Sequence, residues 1–182
     1  MRSQFLFAAA ALLAASPAAA AVTVLGNSSA RSCYEAAESR ANPGMNVIRT
    51  CDQAMRDEGL SEYDRVATLV NRGILKARLG HVDDAIVDYD AALNRDPNEA
   101  EAYLNKGFAL LRRSDDARDA RPMFDSALEK KTRRPELAYY GRAVANELSG
   151  QVRAAYEDYR QASLLDPKWQ DPKADLARFQ VR

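Results

Sequence analysis

The stretch that decides the fold runs from Leu69 to Leu111 and reads LVNRGILKARLGHVDDAIVDYDAALNRDPNEAEAYLNKGFALL. The pair Gly80-His81 divides it into two helical segments, and Pro97 ends the second because proline cannot continue a helix. The stretch therefore predicts a helix, a short turn and a second helix, followed by the first helix of another such pair.

Outward from this stretch, the same residue classes recur at a fixed spacing, which indicates a repeat architecture. Gly73, Gly107 and Gly141 recur every 34 residues. Glycine within a helix costs about 1 kcal/mol relative to alanine, so its recurrence indicates that a neighbouring helix approaches closely there. Small and aromatic residues recur every 35 residues downstream, as Ala85, Ala120 and Ala155, as Tyr89, Phe124 and Tyr159, and as Ala92, Ala127 and Ala162.

In these positions the chain resembles the tetratricopeptide-repeat family, whose unit is a helix-turn-helix of about 34 residues. The resemblance implies an all-α fold, a right-handed superhelical solenoid of antiparallel helix hairpins. It places three units at 66–99, 100–133 and 134–168. Thr132 stands where the family has proline, and the third unit needs two extra residues, which we expect around Asn146 to Ser149.

The regions on either side of the units are predicted to cap the array, because terminal repeats lack a neighbour on one side. Residues 22–65 resemble a degenerate hairpin, and residues 169–182 predict a capping helix that begins at Asp171-Pro172. Cys33 and Cys51 are equidistant from Asn42 in the hairpin turn. We expect a structural disulfide between them, with two free thiols or a redox pair as the alternatives.

The N-terminal residues 1–21 have the features of a cleavable signal peptide. Arg2 precedes an apolar run from Phe5 to Ala15, and Ala18-Ala19-Ala20-Ala21 provides the small residues that signal peptidase accepts. Cleavage is expected after Ala20 or Ala21. The apolar run is shorter than the roughly 20 residues that a transmembrane helix needs, and no other segment is long enough. We therefore expect a periplasmic or secreted protein.

The resemblance also implies a binding groove, because the first helix of each unit lines the concave side in that family. We expect apolar residues to receive side chains of a protein or peptide partner, asparagines to bind its main chain, and arginines to pair with carboxylates. The alternative is that some of the apolar residues serve only helix packing. The predicted groove residues are Val70, Asn71, Ile74 and Arg78, then Leu104, Asn105, Phe108, Leu111 and Arg112, then Tyr139 and Arg142.

Catalysis and nucleic-acid binding are not expected. His81 is the single histidine and lies in a turn, so neither a histidine-based zinc site nor a Cys–His nucleophile is available. We predict no catalytic residues, no metal and no cofactor. The 26 basic and 26 acidic residues cancel, whereas a protein that binds nucleic-acid phosphates usually has a basic excess.

A second hypothesis concerns the basic stretch of residues 130–134, which contains Lys130, Lys131, Arg133 and Arg134. Such a stretch could bind anionic lipid or polysaccharide at a surface. The alternative is a solvated loop balanced by nearby acidic residues. Binding through this stretch would weaken as salt rises, whereas apolar groove binding would not. In either case we expect a monomer.

Overall fold

The computed structural model of the chain describes residues 20–25, 28–39, 43–44, 46–56, 59–113 and 118–179. Within these ranges the regular structure is entirely helical, and it forms a solenoid of antiparallel helix hairpins. No helix in these ranges is long and apolar enough to cross a membrane. The helices are α1 (Ser28–Glu38), α2 (Asn46–Met55), α3 (Glu62–Arg78), α4 (Val82–Arg95), α5 (Ala100–Arg113), α6 (Arg121–Glu129), α7 (Pro135–Leu148), α8 (Val152–Leu165) and α9 (Asp171–Leu176).

The turns after α3, α6 and α7 use the same backbone device. Gly80, Lys131 and Gly150 adopt positive φ values of 88°, 62° and 73°. The next residue then donates its N–H to a carbonyl five residues earlier, as in the bond of 2.9 Å from His81 to Lys76. This arrangement satisfies the carbonyls at a helix end. It reverses the chain so that the following helix packs back on the preceding one.

The recurring aromatic residues form the centre of the solenoid. Tyr89, Phe124 and Tyr159 are fully buried. A Cβ atom added at Gly73 would lie 2.5 Å from Cε1 of Tyr89, and one added at Gly107 would lie 2.8 Å from Cε1 of Phe124. Each glycine therefore admits the ring of the second helix of its own hairpin, as the sequence predicts.

Gly141 differs from the other two glycines. A Cβ atom added there would lie 2.3 Å from the ring of Phe124, which belongs to the preceding hairpin. The ion pairs give the register independently, because Arg72 pairs with Asp88 and Arg142 pairs with Asp158 at the same separation of 16 residues. The position equivalent to Gly73 is thus Ala143. Ala143 lies 70 residues after Gly73, two more than two periods of 34. One of these extra residues lies before Ala120 and the other between Ala127 and Gly141, and neither lies around Asn146 to Ser149 as the sequence suggested.

The disulfide predicted between Cys33 and Cys51 is confirmed. The two Cα atoms are 5.1 Å apart, the bond joins α1 to α2, and both residues are fully buried. Asn42, on which the prediction of the turn was centred, lies outside the described residues. The bond closes the hairpin that begins the solenoid.

Removal of this disulfide is expected to destabilise the first hairpin selectively. Closing a loop of this size contributes about 3 kcal/mol in the chain-entropy model, and repeat proteins transmit such a loss mainly to neighbouring units. We expect the double substitution Cys33→Ala and Cys51→Ala to accelerate amide hydrogen exchange in α1 and α2, with little change in α7 and α8. Equal acceleration along the whole chain would contradict this expectation.

The other end of the solenoid is covered by the chain after α8. Trp169 lies against Tyr140 with ring centroids 4.6 Å apart, and Phe179 lies 5.9 Å from the ring of Tyr159. Pro172 at the start of α9 is buried. These contacts give the last hairpin the apolar cover that a following repeat would otherwise provide.

Candidate functional site

The N-terminal segment, residues 20–25, lies against the first helices of two hairpins, α3 and α5. It has no regular secondary structure. Ala20, Val22 and Val24 are nonetheless buried, Val22 being 2% exposed. They belong to the same hydrophobic cluster as Val70, Ile74 and Leu104. Those three predicted groove residues are therefore covered within the chain itself.

Asn71 on α3 binds the main chain of the segment with both ends of its amide. Its Oδ1 accepts a hydrogen bond from the Val22 N–H at 2.9 Å, and its Nδ2 donates to the Val22 carbonyl at 2.7 Å. Both groups are buried, and an unpaired amide there would cost about 1–3 kcal/mol. The sequence predicted that this asparagine binds peptide backbone, and in the structure that backbone belongs to the chain itself.

Three further side chains hold the backbone of the segment. Asn105 Nδ2 donates to the Ala20 carbonyl at 3.1 Å and to the Glu101 carbonyl at 2.8 Å. Arg133 Nη2 donates to the Ala21 carbonyl at 2.8 Å, and Asp64 Oδ1 accepts from the Leu25 N–H at 2.8 Å. All these contacts reach main-chain atoms. The surface can therefore hold a segment without reading the identity of each side chain.

Glu101 on α5 is the most buried charged group near the segment, at 2% exposed. Its Oε1 accepts two bonds from Arg133, one from the backbone N–H at 2.9 Å and one from Nε at 3.0 Å. Burial alone would lower the pKa of the Arg133 guanidinium, but the hydrogen bond and charge of Glu101 raise it overall. Glu101 Oε2 accepts no hydrogen bond from the described part of the chain.

Two predicted arginines bind carbonyls at helix ends. Arg78 donates to the carbonyl of Ser39 at 2.7 Å, which ties the end of α3 to the end of α1. Burial lowers the pKa of Arg78. Arg112 donates to the carbonyl of Ala77 at 2.7 Å. The structure therefore places both guanidinium groups in links between neighbouring hairpins.

Phe108 and Leu111 lie further along α5 and are half-buried. Phe108 packs edge-to-face on Phe124, with ring centroids 5.0 Å apart. Both residues contact the two hydrophobic clusters of the solenoid. Their packing is thus at least partly structural, which is the alternative that the sequence left open for the apolar groove residues.

Tyr139 and Arg142 on α7 are the groove residues predicted for the third unit. Arg142 binds both carboxylate oxygens of Asp158 on α8, at 2.9 and 2.7 Å, and Asp125 on α6 at 2.8 Å. The hydrogen bonds that Arg142 donates to Asp158 raise the pKa of its guanidinium. The Tyr139 ring lies 5.2 Å below the same guanidinium. The register shift of two residues explains their position.

In the corrected register, Gly141 occupies the position of Asn71 and Asn105, and Val144 that of Ile74. Glycine has no side-chain amide, so the pair of asparagines that bind main chain has no third member on α7.

The sequence did not reveal two residues that bind the N-terminal segment, Asp64 and Arg133. The run of β-branched residues at Val22, Thr23 and Val24 was the available signal for a segment that is buried without being helical.

The basic stretch is partly neutralised within the fold. Arg133 is turned toward Glu101 and the N-terminal segment, and Arg134 Nε lies 2.5 Å from Glu136 Oε1. In the part of the chain that the structure describes, no group of three or more His, Cys, Asp or Glu residues could hold a metal ion.

Comparison with known proteins shows the fold. No family model and no curated protein matches the chain. A solved structure described as "MamA RS-1 ArsTM double mutant" is similar, with a TM-score of 0.64, 24% sequence identity, and coverage of 73% of this chain and 71% of that chain. MamA contains tetratricopeptide repeats. The likeness at this identity shows that the chain has the helical fold of tetratricopeptide-repeat solenoids.

Proposed function

We propose that the chain is a non-enzymatic scaffold of the cell envelope, acting as a monomer, that binds a protein or peptide through the concave surface of α3 and α5. The observation that carries the proposal is the binding of the N-terminal segment by Asn71 and Asn105. A surface that holds the chain's own backbone in this way is chemically able to hold a partner's backbone, because the hydrogen-bonding groups of all peptides are the same.

An envelope location, periplasmic or secreted, is supported by two features. Cys33 and Cys51 are joined in a disulfide, and such bonds persist mainly in oxidising compartments. Residues 1–21 have the charge, apolar run and small residues of a cleavable signal peptide. Both features are expected of a chain that leaves the cytosol before it folds.

The geometry defines the chemistry of a suitable partner. A partner must displace the N-terminal segment and offer its own N–H and C=O groups to Asn71 and Asn105. The sites of Val22 and Val24 are buried, so small or β-branched apolar side chains suit them and charged ones do not. Displacement also lowers the apparent affinity by the fraction of molecules in which the segment is already released.

A titration with a synthetic peptide tests the groove directly. In the full-length chain, Val22→Asp with Val24→Asp should release the segment, because two buried carboxylates would have no partners there. We expect the peptide AVTVL, which copies Ala21 to Leu25, to bind this variant and to bind the unaltered chain at least tenfold more weakly. Isothermal titration calorimetry provides the measurement.

Two controls make the titration specific. A peptide methylated on the Val22 nitrogen cannot donate to Asn71 Oδ1 and should bind far more weakly, as should the unmodified peptide to a variant that also has Asn71→Ala. Lys130→Glu with Lys131→Glu, placed in the same released variant, should leave binding unchanged. Equal affinity for both peptides would rule out main-chain recognition by Asn71 and, with it, the proposed groove.

The alternative, binding of anionic lipid or polysaccharide through residues 130–134, receives less support. Arg133 is engaged by Glu101 and by the Ala21 carbonyl, and Arg134 by Glu136. Lys130 and Lys131 remain for an anionic surface, and exposed charges of this kind contribute about 1 kcal/mol each near a membrane. The groove is therefore the better-supported site.

A further inference from the structure

Glu101 has more binding capacity than the described residues use. The side chain is almost completely buried, yet only Oε1 is hydrogen-bonded, and Oε2 accepts nothing from the residues that the structure describes. A buried charged oxygen without a donor is costly, so such an atom usually has a partner in the functional state. The Glu101 carboxylate therefore lacks a donor at Oε2.

The unpaired oxygen belongs to a carboxylate that adjoins the N-terminal segment. One guanidinium, that of Arg133, bonds both Glu101 Oε1 and the Ala21 carbonyl. One amide, that of Asn105, bonds both the Glu101 carbonyl and the Ala20 carbonyl. Glu101 is thus linked to the backbone of Ala20 and Ala21 by two shared donors, one at its side-chain carboxylate and one at its main-chain carbonyl.

The charges around Glu101 do not balance. Glu99 lies beside it and accepts the Glu101 N–H at 3.1 Å through Oε1. Burial is the main cause that raises the pKa of the Glu99 carboxyl. The negative charge of Glu101 raises this pKa further, whereas the hydrogen bond from the Glu101 N–H lowers it. Arg133 is bonded to Glu101, and its positive charge also acts on Glu99. One further positive charge would neutralise the group.

We propose that Glu101 binds the α-ammonium group of Ala21 after the chain is cut between Ala20 and Ala21. The inference rests on the proposed export of the chain. A protease of the signal-peptidase class would hydrolyse the bond, so that one water is consumed, Ala20 leaves with a carboxylate, and Ala21 keeps an amine that takes up a proton. The neutral peptide N–H of Ala21 becomes a cation with three donors, on the residue whose carbonyl shares the Arg133 guanidinium with Glu101.

The contacts favour this cut over one after Ala21. A cut after Ala20 keeps the bond from Arg133 to the Ala21 carbonyl and removes only the Ala20 carbonyl, and Asn105 Nδ2 still donates to Glu101. A cut after Ala21 would remove the partner of Arg133 Nη2. Ala21 is itself buried, so its ammonium group would lose water and would need the carboxylate.

The site therefore links processing to the state of the groove. Before the cut, the segment is held by main-chain hydrogen bonds and by the burial of its apolar side chains. After the cut, an ion pair at its first residue adds to them, and release of the segment must break that pair. The processed chain would then hold its own segment more firmly than the precursor and would respond to fewer partners.

The test measures the pKa of the α-amine by NMR in a chain that begins at Ala21, with its nitrogen labelled and the disulfide formed. The ordinary value is about 7.7–8.0. Pairing with a buried carboxylate favours the charged form, so we expect a rise of at least one unit. Glu101→Gln should return the pKa to the ordinary range, and Glu99→Gln should leave most of the rise.

The stability of the folded chain should depend on pH through the α-amine of Ala21, and the sign of this dependence follows from the direction of the pKa shift. The pKa of the α-amine is expected to be higher in the folded chain than in the unfolded chain. The ion pair with Glu101 then contributes its full stabilisation below about pH 7.7, and that stabilisation is lost once the pH exceeds the folded-state pKa. The groups that face Glu101 are Arg133, Glu99 and, through Arg133, Tyr63. Acetylation of the α-amine should lower the Tm at pH 7 and have no effect well above the folded pKa, a comparison that needs no substitution.

An α-amine that titrates in the ordinary range, or that responds equally to Glu99→Gln and Glu101→Gln, would overturn the Glu101 site while leaving export untouched. Mass mapping of the amino terminus in protein from the envelope tests processing separately. A first residue of Ala21 supports the proposal, and an intact precursor or a first residue elsewhere overturns it. The two failures are distinguishable, because one concerns the titration and the other the cut.

Discussion

Replacement of Asp88 by alanine is expected to lower the free energy of unfolding by about 3–5 kcal/mol, because it leaves Arg72 and Lys76, whose side chains are 18% and 19% exposed, without their most buried counter-ion. Asp88 is 2% exposed. Its two oxygens accept from Arg72 Nη2 at 2.6 Å and Nε at 2.9 Å, and Lys76 Nζ lies 2.8 Å from Oδ2. The pair joins the two helices of one hairpin, so its loss should separate α3 from α4.

Part of this loss is offset by Asp52, which lies 2.7 Å from Arg72 Nη1. Burial alone would lower the pKa of Arg72, but Asp88 and then Asp52 raise it overall, which identifies Asp88 as the stronger partner. The matched control is Asp90→Ala on the same helix, since Asp90 pairs with Lys106 and its side chain is 47% exposed. An exposed pair contributes at most about 1 kcal/mol.

Chemical denaturation of both variants gives the comparison. A difference of less than 1 kcal/mol between Asp88→Ala and Asp90→Ala would show that water reaches the Asp88 pair and that burial does not determine its strength. Loss of far-ultraviolet helicity in Asp88→Ala alone, already without denaturant, would agree with the expectation in its strongest form.

The helical fold was predictable because its determinants are local. Gly80 and Gly150 allow positive φ at turns, and Pro97 lies just beyond the end of α4. The recurring aromatic residues are all fully buried. Each of these features acts within one hairpin of about 34 residues, so a single unit of sequence contains the information. The disulfide was predictable for the same reason, since both cysteines belong to one hairpin.

The register of the third hairpin was not predictable from glycine spacing. Gly107 and Gly141 have the same spacing as Gly73 and Gly107, but Gly141 packs on a ring of the preceding hairpin. A glycine in sequence gives no sign of which ring approaches it. The charged residues gave a better signal, because Arg72 with Asp88 and Arg142 with Asp158 repeat the same separation.

The occupant of the groove also could not be predicted from the sequence pattern within a single unit. The kind of contact was foreseen, with asparagine amides on peptide backbone. The bonds that place the N-terminal segment join residues 39 to 112 positions apart. No pattern within one unit encodes such separations, because the segment is bonded by α3, by α5 and by Arg133 at once.

Substitution of Gly141 by leucine is expected to lower the free energy of unfolding by about 1–3 kcal/mol or more, because the added side chain must enter space that a ring already fills. An added Cβ atom alone would lie 2.3 Å from both Cε1 and Cζ of Phe124. That ring is also confined from the other side by Gly107, where the distance is 2.8 Å. It therefore cannot move away from α7 without pressing on α5.

Gly44→Leu is the matched control, because an added Cβ atom there has nothing within 4 Å and the φ of Gly44 is not positive. We expect the Tm of this variant to stay within about 2 °C of that of the parent, as for an ordinary surface change. A double-mutant cycle then tests the cause. In a Phe124→Leu background the Gly141→Leu substitution should cost much less, since the smaller side chain leaves room, and residues in contact give coupling energies of about 0.5–3 kcal/mol. Additive losses in the cycle would show that Phe124 is not what excludes a side chain at Gly141, and the two-residue register shift of α7 would lose its packing explanation.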